Sequence, residues 1–99
     1  MSIWKRGFLE IIAEILSCVK EGQNQKTQIC SKCKLDSRVI KKYLRLLLSM
    51  NLVRPFNGDM TSFVITEKGL MYLDKFNSFI EMIEKDLTHL PASKLSSLR

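Results

Sequence analysis

From Trp4 to Glu21 the apolar residues Phe8, Ile11, Ile12, Ile15, Leu16 and Val19 recur at spacings of three, four and one, which puts them on one face of an amphipathic helix. Gly22 stops that helix, and Gln23 and Asn24 form a short polar connection. Thr27 to Lys34 has room for two helical turns with Ile29, Cys30 and Cys33 facing inward, followed by a tight turn at Leu35. Asp36 is placed as an N-cap, its carboxylate accepting from amides of the next turn, and Ser37 to Met50 then runs without Gly or Pro. At about 100° per residue, this third helix carries Ile40, Tyr43, Leu44, Leu47 and Leu48 on one side. Arg38, Lys41, Lys42, Arg45 and Ser49 fall on the other.

Beyond Met50 the pattern changes. Asn51 tolerates the left-handed conformation that ends helices, and Leu52 to Phe56 reads as a strand whose Pro55 suits only a sheet edge. Asn57-Gly58-Asp59 is a tight-turn signal, and Thr61 to Thr66, with Phe63, Val64 and Ile65, is the returning strand. Thr66 caps a last helix from Glu67, along which Leu73, Phe76, Ile80, Ile83, Leu87 and Leu90 alternate three and four apart up to Pro91. A helix of about 24 residues is roughly 36 Å long, more than so small a domain covers. This heptad seam is therefore expected to pair with a second copy of the chain.

Ninety-nine residues, 45% hydrophobic and 26% charged, suffice for one folded core. The formal charge of +6 is concentrated: seven bases, Lys26, Lys32, Lys34, Arg38, Lys41, Lys42 and Arg45, face the single acid Asp36, whereas the nine bases and nine acids elsewhere cancel. A generally basic surface does not describe this chain; a basic third helix does. Glu10 and Glu14 interrupt the first apolar stretch, so neither a signal peptide nor a membrane span is expected. Three cysteines without a secretory signal point to reduced thiols and a cytoplasmic location.

The cysteines invite a metal reading that does not hold. Cys30-Ser31-Lys32-Cys33 is a C-x-x-C, but a structural zinc needs four ligands and only Cys18 and the distant His89 remain. No metal or other cofactor is expected, and small buried thiols account for all three residues. The basic neighbourhood is nevertheless expected to lower a thiol pKa and leave room for oxidative control. His89 has no nucleophile or carboxylate partner, no glycine-rich phosphate loop is present, and neither an enzyme nor a small-molecule substrate is indicated.

Helix, helix, tight turn, basic helix, hairpin and helix is the order of a winged helix-turn-helix, a mainly α fold with a small β-hairpin. Residues 1–66 form that domain, 67–90 the dimerisation helix and 91–99 a flexible tail. The fold presents its third helix to the major groove, so double-stranded DNA is the expected partner. Lys32, Lys34, Lys41 and Lys42 suit phosphates. Arg38 and Arg45 suit either phosphate or guanine, and Ser37 suits a phosphate at the helix start. Arg54, Asn57 and Gly58 are wing candidates, although Asp59 at the tip repels phosphate. Trp4, Lys5 and Arg6 read either as an arm over the backbone or as a helix start packed on the core. The alternative is a protein-interaction module that recruits its partner through the apolar seam.

Three stretches carry a more specific likeness: Lys41-Lys42-Tyr43-Leu44-Arg45-Leu46-Leu47, Asn51-Leu52-Val53, and Ile65-Thr66-Glu67-Lys68-Gly69-Leu70. They resemble the small archaeal winged-helix chromatin proteins of about ten kilodaltons and related archaeal transcription regulators. The resemblance implies dimerisation through an antiparallel coiled coil of the last helix. It also implies DNA binding with little sequence preference, as a nucleoid-associated or regulatory protein. Pro91, which shortens the last helix, and Asp59 at the wing tip depart from that pattern.

Overall fold

The computed structural model describes residues 7–89, apart from the side chain of Asp59. Trp4, Lys5, Arg6, Leu90, Pro91 and the tail lie outside the described residues. The elements follow the expected order: α1 Phe8–Lys20, α2 Lys26–Cys33, α3 Ser37–Ser49, β1 Val53–Phe56, β2 Asp59–Ile65 and α4 Glu67–Thr88.

Each helix boundary has a local cause. Glu10 reaches back to accept from the Gly7 amide at 3.3 Å, and Gly22, with φ of 96°, turns the chain out of α1. The side chain of Gln28 does the same for Gln25 at the start of α2. That helix ends at Lys34, a non-glycine residue with φ of 55°, whose left-handed turn lets the Leu35 amide return to the Cys30 carbonyl. Asp36 caps α3, accepting from the Arg38 amide at 2.8 Å. Asn51 (φ 62°) closes that helix, and the Leu52 amide bonds back to Leu47.

Every element contributes to one core. Ile15 of α1, Ile29 of α2 and Ile40 and Leu47 of α3 meet Leu52, Val53 of β1, Phe63 of β2 and Leu73 of α4, all buried. Burying a side chain of this kind stabilises the fold by about 1.5–3 kcal/mol. At the start of α1 the Phe8 ring, though exposed, leans against Tyr43 of α3 with centroids 5.8 Å apart.

The hairpin is antiparallel, with Val53 opposite Ile65 and Pro55 opposite Phe63, and Asn57 and Gly58 (φ 52° and 76°) forming its tight turn. A slip between Pro55 and Phe56 then pairs Phe56 with Asp59, leaving Met60, Thr61 and Ser62 as extra residues on β2. The polar connection between α1 and α2 has a role its composition did not reveal. The Phe63 amide donates to Asn24 at 3.0 Å, and Gln25 bridges Ser62. This pairing makes β2 the inner strand and β1 the edge, where Pro55 is tolerated.

The Thr66-Glu67-Lys68-Gly69 segment joins the wing to α4 and fastens both to α3. Thr66 Oγ1 accepts from the Gly69 amide and donates to the Asn51 carbonyl at 2.7 Å. Lys68 Nζ donates to the Met50 carbonyl at 2.9 Å, satisfying an acceptor at the end of α3. Gly69 is buried against the backbone of Leu52.

The expected seam on α4 is divided by the core. Leu73 is only 3% exposed and Phe76 packs against the core, so both serve the domain of their own chain. Past them Ile80 and Leu87 are half-buried, whereas Phe79, Met82 and Ile83 are exposed. Leu90 is outside the described residues.

Candidate nucleic-acid interface

The amphipathic division of α3 is realised: Ile40, Leu44 and Leu47 are buried, and Tyr43 and Leu48 are half-buried. Arg38, Lys41, Lys42, Arg45 and Ser49 are exposed on the other side. The capping carboxylate of Asp36 is the only acid between Lys26 and Arg45, and its approach to Arg38 Nε is a loose 4.0 Å with the arginine side chain 90% exposed. A surface pair of that length contributes little, so the guanidinium is available to a partner. Ser37, in the first turn, is exposed as well.

The other predicted residues distribute unevenly around this face. Lys34 is exposed at the turn between α2 and α3. Lys32 lies elsewhere: it borders a groove with Cys18 and Cys33, formed by α1, the end of α2 and α4. Lys26, counted in the sequence only as part of the charge run, instead shares a cleft of about 200 Å³ with Lys41 and Arg45. Helical geometry contained that distinction, since Lys26 and Lys32 are six residues apart and project from different sides of α2. Arg54 is exposed on β1, and Asn57 and Gly58 are exposed at the hairpin turn.

Met60 was not identified from the sequence. It borders the same cleft as Lys41 and Arg45, and it and Phe56 are exposed near the tip of the wing. The periodicity of a strand does not announce an irregular pairing such as the slip after Pro55, so no sequence signal marked Met60.

The Cys18 thiol does not behave as its basic neighbourhood suggested. Cys18 is buried and donates to the Gln23 carbonyl at 3.2 Å. Burial pushes its pKa up, Glu21 adds to the rise, and Lys32 and the Cys33 thiol only partly oppose it. Desolvation outweighs the nearby lysine. Cys33 is also buried, Cys30 packs at the edge of the core, and none of the three forms a disulfide. Among the described residues no three potential ligands cluster to hold a metal, and no helix is long and apolar enough to cross a membrane.

Comparison with known proteins agrees with this architecture. Two uncharacterised proteins of Methanocaldococcus jannaschii are each 33% identical to the chain. One aligns over 82 residues, 83% of this chain but 37% of the relative; the other over 81 residues, 82% of this chain and 77% of the relative. The chain thus spans little more than a third of the first relative's length. Among solved structures, Sso10a-2, a DNA-binding protein from Sulfolobus solfataricus, superposes with a TM-score of 0.69 at 25% identity, covering 94% of this chain and 96% of that one. MepR, a transcription regulator of a Staphylococcus aureus multidrug efflux pump, superposes with a TM-score of 0.70 at 15% identity, over 89% of this chain and 70% of that one, which is a likeness of fold. The winged helix-turn-helix profile matches residues 5–84, most of the chain. With α3 as its third helix, β1 and β2 as its wing and α4 as a long C-terminal helix, the chain belongs to the winged helix-turn-helix family.

Proposed function

We propose that this protein binds double-stranded DNA as a homodimer and acts as a chromatin-associated or transcription-regulatory protein. The observation that carries the reading is the face of α3, where Arg38, Lys41, Lys42 and Arg45 are all exposed on a helix whose opposite side is fixed in the core. Cations held on a rigid helix neutralise phosphates and release counterions, and guanidinium groups add donors suited to guanine edges. Lys26 and Lys34 extend the positive surface. The DNA-binding description of Sso10a-2, which matches nearly end to end, supports the same reading.

The second half of the proposal rests on α4. Twenty-two residues make a helix of about 33 Å, and the part beyond Phe76 carries Phe79, Met82 and Ile83 exposed. A second α4 laid against this face covers them together with Ile80 and Leu87. Leu73 and Phe76 position the helix rather than form the seam.

Duplex titrations at several salt concentrations test the DNA reading. Replacing Arg38, Lys42 and Arg45 together by Ala is expected to weaken binding strongly. If each residue neutralises one phosphate, the slope of log affinity against log salt flattens by about 2.7 per domain. An unchanged affinity and slope would overturn the assignment of α3.

A further inference from the structure

The wing is unlike an electrostatic clamp. From Phe56 to Met60 its tip carries no cation, and its one charged residue is the acid Asp59. A tip built to hold phosphate requires the opposite charge. What it presents instead is apolar: Phe56 is 48% and Met60 55% exposed. The rest of the hairpin does not share this exposure, since Val53 and Phe63 are buried and Pro55 and Ile65 are half-buried.

Two features of the backbone set Met60, at the end of this apolar tip, at the edge of the basic face. The turn at Asn57 and Gly58 is tight, with both residues in the left-handed region, so the hairpin ends narrowly. The slip after Pro55 bulges β2 at Met60, Thr61 and Ser62, and Met60 comes to border the cleft that holds Lys26, Lys41 and Arg45. A large apolar side chain therefore sits beside three cations, with Arg54 exposed on the neighbouring strand.

We infer that Phe56 and Met60 form an apolar wedge that enters the minor groove beside the major groove held by α3, opens a base step and bends the duplex. The inference rests on the DNA-binding reading and extends it to the form of the bound DNA. The occupant follows from the surroundings: Lys26, Lys41, Arg45 and Arg54 outnumber the single acid Asp59 around an apolar tip, and that combination matches a groove whose walls are phosphate and whose floor is the edges of stacked bases. Inserted apolar side chains unstack a base step and kink the duplex. Pyrimidine–purine steps yield most easily, so the wedge favours duplexes that contain them.

Energy transfer between dyes at the two ends of a short duplex, measured with the full chain, tests this. Wild type is expected to shorten the end-to-end distance and to prefer a duplex with central TA steps over one without them. The double variant Phe56→Ser, Met60→Ser alters only exposed side chains. It is expected to bind about fivefold to tenfold more weakly with an unchanged salt slope, leaving the duplex straight and the TA preference gone. A second variant, Met60→Lys, separates a wedge from a tip that merely rests on the backbone. The wedge predicts a smaller bend despite the added charge, whereas a resting tip predicts tighter binding, a steeper salt slope and an unaltered bend. A straight duplex with wild type, or an equal bend with the double variant, overturns the wedge and leaves DNA binding standing. A wild type that binds no duplex overturns both.

Discussion

Gly69, in the first turns of α4, lies so close to Leu52 that a Cβ built on it falls onto the Leu52 carbonyl oxygen and within 2.7 Å of Ile65 Cγ1. Alanine normally stabilises a helix by about 0.8–1.0 kcal/mol over glycine, but here the obstacle is backbone and cannot swing aside. Gly69→Ala is expected to lower stability by about 1–3 kcal/mol, read as a reduced urea midpoint. A raised midpoint would show that α4 shifts freely.

Thr66 is the second element of that junction. Its hydroxyl caps α4 through the Gly69 amide and donates to the Asn51 carbonyl. Thr66→Val keeps the shape and removes both bonds, so a loss of about 1–2 kcal/mol is expected in thermal or chemical unfolding. Lys68→Met, which removes the exposed bond to Met50 and the contact of the ammonium with the Tyr72 ring 5.7 Å away, is expected to cost less than Thr66→Val, because both lost contacts are solvent-exposed.

Lys34 has left-handed backbone that glycine adopts without strain. Lys34→Gly is expected to unfold at a higher midpoint than Lys34→Ala, which removes the same side-chain contacts but keeps about 1 kcal/mol of left-handed strain, and both variants are expected to weaken duplex binding through the lost cation. A glycine variant no more stable than the alanine variant would deny that strain.

Cys18 carries a pH prediction. Its folded pKa lies above the ordinary thiol value of 9.0, chiefly because burial disfavours the thiolate. Below that value both folded and unfolded chains hold the proton and the contribution to stability is complete. As pH rises from 9.0 toward the folded value, the unfolded chain ionises first and stability declines. Unfolding from pH 7 to 10 is expected to show a decline that Cys18→Ala reduces. Alkylation of Cys18 at pH 8 is expected to be slower in the native protein than in urea.

Much of this was legible in the residues. The caps at Asp36 and Thr66, the left-handed Asn51, the turn at Asn57-Gly58 and the two faces of α3 are local consequences of side-chain chemistry, and the structure realises each. The apolar period of α4 was equally visible, but period shows only which residues share a face and not which neighbour covers it. Leu73 and Phe76 met their own domain because α1 lies alongside. Lys26 and Met60 depended on contacts between elements distant in the chain, and Met60 also on a pairing irregularity that alternation conceals. The thiol of Cys18 depended on burial, which outweighed the basic residues beside it.

The bond from the Phe63 amide to Asn24 has a mechanical consequence. It ties the wing to the chain just before α2, while Thr66 and Lys68 tie the other end of the hairpin to the close of α3. The wing is thus tethered at both ends, which limits how far it can swing relative to α3. If the chain binds duplex DNA as proposed, a wing and helix set to one gauge would leave any adjustment of groove spacing to the double helix.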